Sequence, residues 1–202
     1  MTLSEFERRW RGHVPAPLGA RRSYAVLVPL AQREEGLSML FEVRAGTLKR
    51  QPGEVCFPGG GMEPGESPVQ CALRETWEEL RIPPETVEVI GPLDFQCQGG
   101  GQVFYPVLGH VTSRGVAALE PSPAEVQEAF WVPVDFFRDH PPKVYTYELV
   151  PHVEDFPYDR IGFPQGYPWR RSQVDVPIYQ WKGRAIWGMT ARTVRGLMEA
   201  MK

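Results

Sequence analysis

Two nearly unbroken apolar runs, SYAVLVPLAQ and LSMLFEVRA, occupy residues 23–32 and 37–45, with only the polar turn REEG between them. Runs of this length bounded by turn residues read as strands. A third, VCF, lies between Gly53 and the loop FPGGG. Ahead of them, Leu3, Phe6 and Trp10 recur at helical spacing and Pro15 and Pro17 close the segment, which predicts an N-terminal helix over about residues 2–12.

The period then changes. In PVQCALRETWEELRI, residues 68–82, Val69, Ala72, Leu73, Thr76, Trp77 and Leu80 form one stripe, the pattern of a helix laid on a core. Ser67 caps it, Pro68 takes the first helical position, Gln70 completes a capping box, and Pro83-Pro84 ends it. TVEVIGPL, QVFYPVLGHV and VQEAFWVPV follow as strands. Residues from about 138 to 173, rich in Pro, Gly and aromatics, read as a long loop. A strand near 175–181 leads into a C-terminal helix, IWGMTARTVRGLMEAMK, with Met189, Val194, Leu197 and Met198 apolar. No repeat or dividing linker interrupts the chain, so residues 1–202 are expected to form one α/β domain with a mixed sheet.

Composition narrows the partners. A net charge of −3, without a dense basic run, gives no footprint for nucleic acid or an anionic membrane. No run of 18 apolar residues is present, and the N-terminus lacks the apolar core of a signal peptide. The three cysteines form no C-x-x-C pair and no metal-type spacing with the four histidines, so reduced thiols in the cytoplasm are expected. Cys71 reads as core and His110 as a strand residue; His13, His140 and His152 receive no role.

The chemistry gathers in RETWEE. On a helix Glu75, Glu78 and Glu79 stand at i, i+3 and i+4, where like charges cost about 0.2–0.5 kcal/mol per pair. That arrangement fits a solvated helix face, or a site where a hard cation such as Mg²⁺ or Mn²⁺ turns repulsion into coordination. The glycine loop just ahead, joined through Glu63-Pro64-Gly65-Glu66, lets backbone approach a ligand closely and favours a metal-bound diphosphate.

Gly60, then Glu66 after five residues, then Arg74-Glu75-Thr76-Trp77-Glu78-Glu79-Leu80-Arg81-Ile82 after seven more, resembles the Nudix box, with six of its seven fixed residues in place. Arg81 replaces the family's glycine at the helix end, and Thr76 stands where a larger apolar residue is usual. The resemblance implies a Nudix-type α/β/α sandwich, with the box over residues 60–82. It further implies a Mg²⁺ or Mn²⁺ site made by Glu75, Glu78, Glu79 and the Gly60 carbonyl, and a catalytic set of Glu75, Glu78 and Arg74, with Arg74 orienting a glutamate. Glu66 would hold the loop against the helix. The reaction implied is attack of water on a diphosphate phosphorus, the proton going to Glu75 or Glu78, or to Glu125 or Glu128 from a later segment.

Upstream, LFEVRAGTLKRQPGEVCFPGG resembles the signature of the coenzyme A pyrophosphatases within that family: Leu40, Arg44, Ala45, Gly53, Phe57, Pro58, Gly59 and Gly60 match in register. Phe41 and Glu42 replace an expected Leu-Thr, and Lys49, beside Arg50, stands for an arginine. IWGMTART resembles their closing helix. The resemblance implies a small-molecule nucleoside diphosphate of the coenzyme A type as substrate, bound by Arg44, Lys49, Arg50, Gly59 and Gly60. ADP-ribose, NADH, a dinucleotide, or a silent nucleotide-binding domain are the alternatives. The loop GFPQGYPWRR offers Tyr167 and Trp169 for stacking and Arg170 and Arg171 for phosphate, or is a packed surface loop. A monomer and a homodimer both stay open.

Overall fold

The computed structural model describes every residue, Met1–Lys202. Its main sheet contains β1 (Arg22–Arg33), β2 (Gly36–Arg44), β3 (Val55–Cys56), β4 (Gly59–Gly61), β5 (Val87–Pro92), β6 (Gln96–Gln98), β7 (Gln102–Val111) and β8 (Val126–Pro133). The order is β3-β2-β1-β7-β5, with β4 also on β1, β6 on β7 and β8 on β2. β1 and β7 run parallel and the other pairs antiparallel, which makes the sheet mixed.

Side chains alternate along β1. Ala25 and Leu27 pack against Cys71 and Ala72 of helix α2 (Pro68–Leu80), whereas Val26 and Val28 enter the opposite core with Ile186, Ala191 and Val194. Because both faces are covered, the sequence shows a continuous apolar run instead of alternation. Helices α3 (Val134–Asp139) and α4 (Gly188–Ala200) contribute Phe137, Ala191 and Val194 to that second layer and complete an α/β/α sandwich.

The sheet forks where β1 and β2 diverge. The two strands pair only from Leu30↔Met39 to Arg33↔Gly36. Beyond that end, Tyr24, Ala25 and Val26 take Gly61, Gly60 and Gly59 as partners, while Glu42 and Val43 take Cys56 and Val55. The glycine loop therefore bridges the fork. Phe57 anchors it by stacking on Phe41 at 4.8 Å in the core, an aromatic pair worth about 1 kcal/mol beyond its buried area.

The expected N-terminal helix is present, and two other expectations change. The N-terminal helix, α1, spans Leu3–Trp10 and buries nothing; Leu3, Phe6 and Trp10 are all exposed, and Thr2 with Glu5 caps it. Trp77 is likewise exposed, because the stripe that α2 buries runs through Ala72, Thr76, Glu79 and Leu80 and turns Trp77 outward. Residues 138–173 are not one loop. They include β9 (Lys143–Leu149), which with β10 (Ser172–Trp181) and β11 (Arg184–Trp187) makes a second antiparallel sheet in the order β11-β10-β9. Every residue of β9 is exposed, so no period-two burial marked it.

Candidate active site

Helix α2 starts as its sequence dictates. The Ser67 hydroxyl accepts from the Gln70 N–H at 3.3 Å, and the Gln70 side chain accepts from the Ser67 N–H at 2.9 Å. Thr76 points into the core, and its hydroxyl donates to the Ala72 carbonyl at 2.6 Å, so a small polar residue sits there without an unsatisfied group. At the far end the backbone N–H groups of Glu120 and Ser122 donate to the Leu80 and Glu79 carbonyls. Those bonds fasten the 119–125 segment, with Glu125, to the carboxylate end of the helix.

Helical geometry grades the three glutamates by depth. Glu79 is buried, Glu75 lies at the rim and Glu78 is half out in solvent. Glu79 Oε2 accepts from the Gly59 N–H at 2.7 Å. Arg74 donates through Nη1 to Glu75 at 2.8 Å and Glu78 at 3.3 Å, and through Nε and Nη2 to Glu66 at 2.9 and 3.1 Å. Its Nη2 also reaches the Gly61 carbonyl at 3.2 Å. Arg74 and Glu66 thus tie the glycine loop to the helix, the first by orienting both rim glutamates.

The glycines are shaped to that helix. A Cβ at Gly60 would lie 2.5 Å from the Glu75 carboxylate, and one at Gly59 would overlap the Ala25 carbonyl and Val26 Cα. Only backbone fits between β1 and α2 here.

Arg44 shares the site, its charge reaching Glu42 and Glu79. Lys49 and Arg50 stand exposed in the β2–β3 loop and form no ion pair or hydrogen bond. Glu128 is taken up by Arg184 of β11, which donates to both carboxylate oxygens. Glu125 is exposed and unpaired, with its charge reaching Glu42 and Glu75. Tyr167 and Trp169 pack edge-to-face at 5.2 Å within their own segment, and Trp169 donates to Tyr158.

Sequence reasoning gave no role to Glu42. Its side chain is wholly buried on β2; Oε1 accepts from the Cys56 thiol at 3.4 Å and Oε2 has no partner. The available signal was a carboxylate inside LSMLFEVRA, a run too apolar to hold one without cause. Burial lifts the Glu42, Glu75 and Glu79 carboxyls above their ordinary range, and the neighbouring Glu42 charge lifts Glu79 further. The same burial, with the charges of Glu42 and Glu79, pushes the Cys56 thiol well up.

The NUDIX domain model matches residues 21–151, which include the glycine loop, the carboxylate helix, Glu42, Arg44 and Glu125. The chain belongs to the Nudix family. It is similar to the peroxisomal coenzyme A diphosphatase NUDT7 of Mus musculus, 39% identical over 134 residues, which cover 66% of this chain and 56% of that one. It is also similar to the uncharacterized Nudix hydrolase NudL of Photorhabdus laumondii, 30% identical over 207 residues, covering 100% and 99% of the two chains. The chain spans about half the length of the mouse relative and of Nudix hydrolase 3 of Caenorhabditis elegans. Among solved structures it resembles the M. smegmatis Nudix hydrolase RenU, with a TM-score of 0.50 and 25% identity over 60% of this chain and 78% of that chain. Arg81 adopts φ 57° and ψ 21°, so the left-handed conformation of the family's glycine is kept without the glycine.

Nudix hydrolases generally use divalent metals such as Mg²⁺ or Mn²⁺. As arranged, no three acidic, histidine or cysteine side chains converge tightly enough to enclose an ion; the carboxylates instead turn to Arg74 and the Gly59 N–H. The donors nevertheless fit a hard cation. All are oxygens, the buried Oε2 of neighbouring Glu42 lacks any partner, and the Cβ-free Gly60 leaves its backbone against Glu75.

Proposed function

We propose that this protein hydrolyses the diphosphate of coenzyme A or its thioesters with Mg²⁺ or Mn²⁺, residues 1–202 acting as one domain. The observation that carries the reading is Arg44. It is a residue of the upstream signature, it lies beside the carboxylate helix, and its Nε is buried without a partner, as a cation awaiting an anionic oxygen would be. The similarity to a coenzyme A diphosphatase supports the same choice.

Glu75, Glu78, Glu79 and the Gly60 carbonyl would hold the cation, which when bound screens phosphate charge, lowers the pKa of water and stabilises the leaving oxygen. Arg74 keeps the rim glutamates in place, and Arg44 meets a phosphate oxygen. The oxygen of water bonds to one phosphorus, the bridging P–O bond breaks, and a carboxylate takes the proton of the water. The products are 3′,5′-ADP and phosphopantetheine.

A second reading, another nucleoside diphosphate such as ADP-ribose, NADH or a dinucleotide, is favoured by the departures from the upstream signature at Phe41, Glu42 and Lys49. Incubation with coenzyme A, acetyl-coenzyme A, ADP-ribose and NADH, in Mg²⁺ or Mn²⁺, separates the two by which product forms fastest. Glu79→Gln is the control. Product that persists in this variant removes Glu79 from the cation site, and nucleotide binding without turnover under either ion sinks the hydrolase reading.

A further inference from the structure

We infer that Glu42 is a fourth carboxylate of the cation site, contributing its Oε2 beside Glu79. The inference rests on α2 being the cation-binding helix. On β2, Leu40 and Glu42 point to the same face, opposite Met39 and Phe41. Leu40 shares a buried cluster with Leu80 of α2, and the next residue on that face, Glu42, lies near enough to Glu79 and Glu75 for the charges to act on one another. The irregularity in the β2–β8 ladder lies in β8, where Gln127 is the extra residue, and leaves the alternation of β2 intact.

Glu42 is held for this role. Its pairing with Cys56 across β2 and β3 sets the thiol to donate to Oε1, which fixes the carboxylate and leaves Oε2 free. A buried carboxylate oxygen with nothing bound to it is costly and rare. Two positions along the same face, Arg44 Nε is also buried and unpartnered. A cation satisfies the first and an anionic oxygen the second, the two components of a metal-bound diphosphate. The threonine expected at position 42 by resemblance would supply only a neutral hydroxyl; here the chain places a hard, charged ligand.

The test is Mn²⁺ titration followed by electron paramagnetic resonance and calorimetry on wild type, Glu42→Gln, Glu42→Thr and Glu79→Gln, with melting temperatures recorded without and with Mn²⁺. Expected is Mn²⁺ binding about tenfold or more weaker in Glu42→Gln, together with a smaller Mn²⁺-induced rise in melting temperature. The metal-free variant should melt no lower than wild type, since the negative charge on a buried oxygen without a partner has been removed while the Cys56 thiol keeps its acceptor. Glu42→Thr serves if the amide is not accommodated. Retention of wild-type Mn²⁺ affinity in both Glu42 variants while Glu79→Gln weakens it overturns the assignment of Glu42 alone. Absence of Mn²⁺ binding in wild type overturns it together with the reading of α2.

Discussion

Arg74 and Glu66 are joined by two hydrogen bonds, Nε to Oε1 at 2.9 Å and Nη2 to Oε2 at 3.1 Å, and this fork closes the glycine loop onto α2. The Arg74 guanidinium, helped by the Glu63 N–H at 2.9 Å, holds the Glu66 carboxyl down at about 2 against an ordinary 4.5. A folded-state pKa below the unfolded one stabilises fully above the unfolded value, and that stabilisation is lost as pH falls through the folded value. The stabilisation by Glu66 should therefore be complete above pH 4.5 and fade between 4.5 and 2. Urea unfolding of wild type and Glu66→Gln across acid pH measures it. A difference between the two that does not shrink toward low pH would refute the role of the fork.

Replacing Arg74 by lysine keeps the charge and loses the fork, since an ammonium cannot serve Glu66 and the two rim glutamates from one plane. Expected is a fall in kcat/KM of roughly 10–100-fold, the usual effect of losing a group that orients ligands. Unchanged turnover would mean that the glutamates orient themselves.

Gly60→Ala is a test of shape. Its Cβ would press on the Glu75 carboxylate at 2.5 Å, whereas a Cβ at Gly61 meets nothing within 4 Å. Gly60→Ala should lose about 100-fold in activity, the scale for a misplacement near 1 Å, with Gly61→Ala close to wild type. Equal activities for the two, compared by steady-state kinetics, would show that the Glu75 carboxylate does not need this place.

Where local chemistry decides structure, the chain was readable. Ser67, Pro68 and Gln70 announced α2, and the apolar runs announced β1 and β2, because caps and turn-bounded runs act within a few residues. Glu75, Glu78 and Glu79 were legible as a group for the same reason, since helical spacing alone brings them to one side. Their depth was not: which of them is buried depends on how α2 rolls onto β1, and Thr76 and Trp77 show that roll only in the packed structure. Glu42 was invisible as a partner of Glu79 because 37 positions separate them and only the forked sheet brings them together. β9 was missed because its stability comes from the ladder with β10, which leaves no burial pattern in KVYTYEL.

Arg81 offers a gain in stability. A non-glycine residue at φ 57° strains against its own carbonyl, and glycine there should stabilise the fold by about 0.5–1 kcal/mol. Loss of the Arg81 guanidinium over Trp77, at 5.9 Å, sets the value toward the lower end. Urea midpoints of Arg81→Gly and wild type, at equal slope, measure the change. A lower midpoint in the variant would show that Arg81 contributes more through its contacts than its backbone costs.

Glu125 and Glu128 came from one short segment with equal standing as proton acceptors, and their surroundings now separate them. Glu128 is clasped by Arg184, whose guanidinium also lies over Phe130 at 4.6 Å, so its charge is used in joining β8 to β11. Glu125 has no such partner, and the bonds from Glu120 and Ser122 to the end of α2 bring its segment to the carboxylates. Glu125→Gln should reduce kcat by about 10²–10⁴-fold, because an amide cannot accept the proton of water. Glu128→Gln should leave kcat near wild type and cost about 1 kcal/mol or less in stability, as expected for a partly exposed ion pair. The reverse pattern, a loss of turnover in Glu128→Gln with Glu125→Gln unaffected, would place the proton acceptor on the clasped carboxylate and require Arg184 to release it during the reaction.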